Sequence, residues 1–362
     1  MLRPRPCRAA VIAALALVTA GCSASGAGTG ATAPGVTSSA APGASAAVGG
    51  SGAPSASSAP AGRAGIGARP SAAAARACTV FPADNVWHAD VSRLPVHSRS
   101  AAMVGAIGAG ANVHADFGSG QWEGAPIGIP VTVVPAGQRK VPVTFGYADE
   151  SDPGPYPIPA DAKVEGGPSG TGDRHVIVWD RAACRAYELF DAHRSGSGWR
   201  AGSGAVFDLR SNRMRRAGWT SADAAGLSVL AGLVRYDEVA AGRIDHAIRV
   251  TVPRTRTGWT WPASHSASSA TDPALPQLGQ RLRLKRSVDV SGLPRQARIV
   301  AEAMRTHGMI VADHGSAWYL SGAPDPRWDN DALHALDRLR GSDFEVVDAA
   351  GLMTNPRSAA VR

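Results

Sequence analysis

His175-Val-Ile-Val-Trp-Asp-Arg-Ala-Ala-Cys-Arg-Ala-Tyr-Glu-Leu-Phe-Asp191 is the stretch on which the reading of the fold turns. Its two runs rich in β-branched and aromatic residues, His175 to Asp180 and Ala186 to Asp191, read as strands. In the second, Tyr187, Leu189 and Phe190 put apolar groups on both faces, which predicts a central position in a covered sheet. The same signature marks Ile129 to Val134, Val141 to Tyr147, Arg243 to Val252, Arg281 to Lys285, Met309 to Ala312 and Phe344 to Val347. Helical spacing covers Ser98 to Ile107, Ser221 to Leu230, Pro294 to His307 and Asn330 to Leu339, and Thr220 with Asp223 has the form of a capping box. Strands outnumber helices and do not alternate with them regularly, which argues against a doubly wound parallel sheet. The expected fold is therefore mainly β, an antiparallel β-sandwich or curled sheet with a few peripheral helices, with α+β as the alternative.

The N-terminal side of this domain is of a different kind. Arg3, Arg5 and Arg8 precede an apolar segment from Ala9 to Ala20, the layout of a secretory signal. That segment, about twelve residues, falls short of the roughly twenty needed to span a hydrocarbon core. Ala20-Gly21-Cys22 resembles the lipobox of bacterial lipoproteins, with Thr19 where an aliphatic residue is usual. The resemblance implies cleavage before Cys22, attachment of membrane lipid to Cys22, and residence at the outer face of the cell membrane; plain secretion after cleavage near Ala20 is the alternative. Residues 1–21 are then the signal. Residues 22–77, almost all Ala, Gly, Ser, Pro and Thr, read as a disordered tether spanning on the order of 40 Å. Residues 78–353 form one extracytoplasmic domain, and 354–362 a flexible C-terminus.

Export decides how cysteines and charge are read. Cys7 and Cys22 belong to the leader, which leaves Cys78 and Cys184 as an even pair in a compartment where disulfides persist, and a bridge between them is predicted. The net charge of +8 includes the three leader arginines, and basic clusters recur at Arg213, Arg215 and Arg216 and at Arg281, Arg283, Lys285 and Arg286. Anionic envelope polymers suit such a surface, whereas nucleic acid does not suit an exported chain without a recognisable nucleic-acid module.

No HExxH, GxSxG, P-loop or complete GxGxxG occurs, so chemistry must rest on scattered polar residues. Asp149, Glu150 and Asp152 crowd the end of the strand Val141 to Tyr147, where carboxylates serve as a raised-pKa acid or as calcium ligands. The further oxygen ligands of a calcium loop are not visible, so no cofactor or metal is assigned. Asp173, Arg174 and His175 open a strand after the glycine-rich turn Gly166 to Gly172, as an acid/base pair with an arginine for a carboxylate or phosphate, or as an internal salt bridge. His246 shares a strand phase with Ile244, Ile248, Val250 and Val252, which makes it a core histidine or the floor of a cleft with Glu238 as its acidic companion. Asp313 and Trp318 leave an apolar strand with His314 and Ser316, as binding groups or as a structural turn with Trp318 in the core. Trp259 and Trp261, with His265 beyond them, are candidate sugar-stacking residues, although most tryptophans are core residues.

Phe81-Pro-Ala-Asp-Asn-Val-Trp87, Tyr147-Ala-Asp-Glu-Ser-Asp-Pro-Gly-Pro-Tyr-Pro-Ile-Pro159, Gly218-Trp-Thr-Ser-Ala-Asp-Ala-Ala-Gly226 and Gly315-Ser-Ala-Trp-Tyr-Leu-Ser-Gly-Ala-Pro324 resemble an uncharacterised family of secreted, lipoprotein-like bacterial proteins. The resemblance implies one exported unit and brings no activity with it. The functional expectation is a membrane-anchored domain that acts on or binds a polysaccharide. A hydrolase would draw its two carboxylates from Asp149, Glu150, Asp152, Asp173 and Glu238, whereas a lyase would use His175 or His246 as base with an arginine on a uronate carboxylate. A non-catalytic surface binder or scaffold is the competing class, and an esterase through Ser316 and His314 lacks an oxyanion motif.

Overall fold

The computed structural model describes residues 78–362. The proposed signal, tether and lipidated Cys22 lie outside the described residues. In chain order the strands are β1 (His114–Asp116), β2 (Gln121–Trp122), β3 (Ala125–Pro126), β4 (Val131–Val134), β5 (Val143–Phe145), β6 (Val176–Asp180), β7 (Arg185–Phe190) and β8 (His193–Ser195). They continue as β9 (Gly198–Ala201), β10 (Ser203–Asp208), β11 (Ile248–Val252), β12 (Arg281–Leu284), β13 (Met309–His314), β14 (Tyr319–Ser321) and β15 (Phe344–Val346). The helices are α1 (Ser100–Ile107), α2 (Val229–Gly232), α3 (Tyr236–Ala240), α4 (Arg295–Thr306) and α5 (Asn330–His334).

The decisive stretch forms an antiparallel hairpin, with Val176 opposite Leu189, Val178 opposite Tyr187 and Asp180 opposite Arg185. Asp180 Oδ1 accepts the Ala183 amide at 2.8 Å, and Cys184 takes a left-handed φ of 54° where the chain turns back. Every residue of β6 is buried, because its alternating side chains enter two separate cores. Ile177 and Trp179 join the large core with the strands β11 to β14, while Val176 and Val178 join a smaller one with Tyr156, Ile158 and Trp199. A bridge between Cys78 and Cys184 closes the large core beside this hairpin.

Strands dominate, but they form mixed sheets and no closed barrel among the described residues. One sheet has the order β1-β14-β11-β13-β12-β15 and another β10-β7-β6-β4. The expected antiparallel sandwich is corrected here: β1 runs parallel to β14, β11 to β13, β4 to β6 and β5 to β9. Parallel neighbours need long connections, and residues 253–308, which carry β12 and α4, supply one between β11 and β13. Residue alternation fixes which face a side chain takes, not which way the neighbouring strand runs.

Two further expectations are corrected. Residues 221–228 are not helical and Thr220–Asp223 is no capping box: Ser221 and Thr220 hydroxyls donate to the Asp223 carbonyl, Gly226 turns with φ 72°, and only Val229–Gly232 is α-helix. Short polar side chains that bond nearby backbone compete with helix in this way. The end, 354–362, is paired rather than free, with Ala360 bridged to Asn85, Ser358 to Arg213 and Val361 to Met353. No helix among the described residues is long and apolar enough to cross a membrane.

Candidate functional site

Arg249 on β11 organises the polar centre of the domain. Strand register puts Asp116 opposite Ser321, and Asp313 opposite Thr251, two residues on from Arg249, so all four side chains belong to one sheet face. Arg249 is buried, and it donates from Nε to Asp223 Oδ2 at 2.8 Å, from Nη1 to Ser321 Oγ at 2.7 Å and from Nη2 to Asp313 Oδ2 at 3.1 Å. Burial disfavours its charge, but Asp223, Asp313 and Asp173 more than offset this and raise its pKa. Gly232 permits this placement, since a Cβ there would lie 2.7 Å from the Arg249 Cβ.

The segment Trp219–Gly226 lies over this face and gathers the other groups through its backbone. Thr220 N donates to Glu150 Oε2 at 3.2 Å and its carbonyl accepts from Arg215 Nε at 2.6 Å. The Ala222 carbonyl accepts from His175 Nε2 at 2.9 Å. Ala224 donates its N–H to Asp313 Oδ2 at 3.3 Å, and its carbonyl accepts from His265 Nδ1 at 2.8 Å. His265 Nε2 lies 3.6 Å from Glu150 Oε2. Just beyond, Glu188 in the middle of β7 is fully buried and accepts from Ser228 Oγ and the Val229 and Leu230 amides, fixing the start of α2. Residues 219–231 are thereby tied to β7 on one side and to β11 on the other.

Two carboxylates of this centre meet solvent. Asp173 and Asp116 are exposed, yet the surrounding protein removes enough water to push both pKa values up. The charges of Asp313 and Glu165 add to the rise at Asp173 and that of Glu165 to the rise at Asp116, while Arg249 opposes it at both. An acid that is both accessible and reluctant to ionise is suited to proton donation. Asp313, held by Arg249 and the Ala224 amide, is its carboxylate neighbour.

His175, a candidate base by sequence, plays a different part in the structure. Its Nδ1 lies 2.5 Å from Glu165 Oε2 and its Nε2 donates to a carbonyl, so both nitrogens carry protons. Burial alone would lower its pKa, but Glu165 wins and lifts it to about 9. The imidazolium therefore holds the Ala222 turn in place and has no free nitrogen with which to take a proton.

Of the residues singled out in the sequence, Glu150, His175, His265 and Asp313 thus converge on the 219–226 segment, and Asp173 lies within electrostatic reach of His175, Asp313 and Arg249. Asp152 is adjacent but committed, accepting from Arg215 Nη1 at 2.5 Å and from the Val206 amide at 2.8 Å. The others lie elsewhere. Asp149 is exposed on the turn Ala148–Glu150. The Arg174 guanidinium serves backbone carbonyls of Ala192, Gly167 and Gly170, so it is not open to a ligand anion. His246 is buried against Glu238 at 3.2 Å, as the sequence paired them, but Glu238 also binds Arg235 and the first turn of α3. The strand expected to carry His246 begins only at Ile248, and His246 sits buried before it with the half-buried Glu238 of α3 as its partner. Trp318 is fully buried, stacked on Phe344 and bonded to the Gly108 carbonyl, which removes it as a ligand platform. His314 pairs with Thr255, not Ser316. Trp259 and Trp261 line a separate cavity.

Asp116, Glu165, Glu188 and Ser321 are not candidates in the sequence, where Asp223 stands only in the expected capping box and Arg249 has no assigned role. One signal was there to use: Arg249 is a lone charge inside the apolar run Ile248 to Val252, where an unpaired guanidinium is too costly to bury. No three His, Cys, Asp or Glu side chains among the described residues are disposed to hold a metal ion, and Glu150 and Asp152 are engaged by protein donors instead. No protein-family model, no curated protein and no solved structure matches the chain.

Proposed function

We propose that this is an exported, lipid-anchored protein whose domain hydrolyses a polysaccharide at the Arg249 centre, with Asp173 as proton donor and Asp313 as the partner carboxylate. One observation carries the reading: a solvent-exposed, pKa-raised Asp173 stands in the same charged cluster as an Asp313 fixed by Arg249 and the Ala224 amide. Glycoside hydrolysis draws on two carboxyl groups, one donating a proton to the leaving oxygen and one acting as nucleophile or base. Hydrolysis is preferred to elimination because His175 has no free nitrogen and Arg174 is spent on loop carbonyls. Anchoring through Cys22 would keep the domain within reach of envelope glycans.

The test is release of reducing sugars from a polysaccharide panel by the full-length protein, beside Asp173→Asn and Asp313→Asn. Loss of about a hundredfold or more in each supports the assignment. Unchanged release in either variant contradicts it. A non-catalytic binder is the second reading, favoured by the separate tryptophan-lined cavity; saccharide binding with no release from any substrate would establish it.

A further inference from the structure

A cavity of about 480 Å³ lies apart from the Arg249 centre, lined by His97, Arg256, Trp259, Trp261, Gln277 and Arg281 among others. Trp259 is 40% exposed, an unusual state for so large an apolar side chain, and its backbone is pinned by pairing with Leu278. Two arginines stand beside it without counter-ions. Arg281 is 2% exposed and donates only to backbone carbonyls, from Nε to His307 at 2.9 Å and from Nη2 to Val86 at 3.2 Å, while its Nη1 has no partner in the protein. Arg256 donates from Nη2 to Gln277 Oε1 at 2.9 Å, and its buried Nε is likewise unpartnered.

A buried guanidinium normally has a carboxylate, since carbonyl dipoles alone compensate its lost hydration poorly. Burial with no opposing charge pulls the Arg281 pKa down to about 9. Asp348, also on the cavity wall, is exposed and accepts from the Ala350 amide. The two unpartnered nitrogens are closed to solvent, so it is the uncompensated positive charge of Arg256 and Arg281 beside an exposed indole face that defines what would fit: an oxyanion attached to a ring that can lie on the indole.

We infer that this cavity binds an anionic saccharide, its sugar ring against Trp259 and its carboxylate or phosphate towards Arg256 and Arg281. The inference rests on the polysaccharide reading above and narrows it to acidic glycans. Binding is measured by calorimetry on the full chain carrying Asp173→Asn, with trigalacturonate, its fully methyl-esterified counterpart and glucose 6-phosphate as probes. The acid should bind about tenfold or more tightly than the ester. Arg256→Gln should remove most of that difference, and Trp259→Ala should weaken acid and ester alike by about tenfold, both leaving the thermal midpoint in place. Tighter binding of the sugar phosphate would identify phosphate as the preferred oxyanion, and tighter binding of trigalacturonate the carboxylate. Equal affinity for acid and ester, or unchanged binding in both variants, overturns the proposal. If acid-selective binding holds but no glycan is cleaved, hydrolysis alone fails; if cleavage holds without acid selectivity, this site alone fails.

Discussion

Arg249 and His175 are the two buried cations that shape the centre, and each is held by a carboxylate the other does not use, Asp223 and Glu165. Removing one member of such a pair leaves a charge buried alone, which costs several kcal/mol, so these groups fix geometry more than they add net stability. The His175 pair also ties stability to pH. Its folded pKa of about 9 stands above the usual 6.5, so its contribution is complete below pH 6.5 and is lost as pH rises through 9. The shift corresponds to roughly 3 kcal/mol. The thermal midpoint should therefore fall by about 5–10 °C between pH 6.5 and 9.5. Glu165→Gln should start lower and show a much flatter decline; an equal slope in wild type and variant would contradict the pairing.

At the scale of the element, the 219–226 turn does the positioning. Gly226 adopts φ 72°, and a Cβ there would meet Ser264 Oγ at 2.1 Å and the Trp219 carbonyl at 2.6 Å. Gly218 is also left-handed, at φ 84°, but nothing lies within 4 Å of its Cβ position. Gly226→Ala should thus cost about 2–4 kcal/mol and disturb the Ala222 and Ala224 contacts, whereas Gly218→Ala should cost only about 1 kcal/mol of backbone strain. Chemical denaturation of the two variants checks this, and equal losses would contradict the account. The turn also shows where sequence reading stops. Thr220 and Asp223 have the spacing of a capping box, and only Arg249, 26 residues on, reveals the partner that Asp223 takes instead. The strands were legible because β-branched runs alternate locally, and the end of β13 exposed Asp313. Asp116 and Ser321 were not, because their meaning comes from strand register across the sheet.

The whole molecule is held together by long-range closure. The Cys78–Cys184 bridge joins residues 106 apart, and the last residues return to the start of the domain through Val361 N–H on the Asp84 carbonyl at 2.8 Å. A loop of that length contributes about 4–5 kcal/mol by limiting the unfolded chain. Replacing both cysteines with serine should lower the midpoint by roughly 10 °C, a loss that reducing agent reproduces in the wild type; an unchanged midpoint would show that the bridge adds no stability. The same closure brings strands from both ends of the domain around one charged centre, and that centre carries the functional claim. Its most direct measurement is polysaccharide cleavage by Asp173→Asn beside Asp149→Asn, two substitutions of exposed carboxylates in one protein. The account predicts that the first abolishes release of reducing sugar and that the second leaves it at the wild-type rate; activity retained by Asp173→Asn, or lost equally in both, would contradict it.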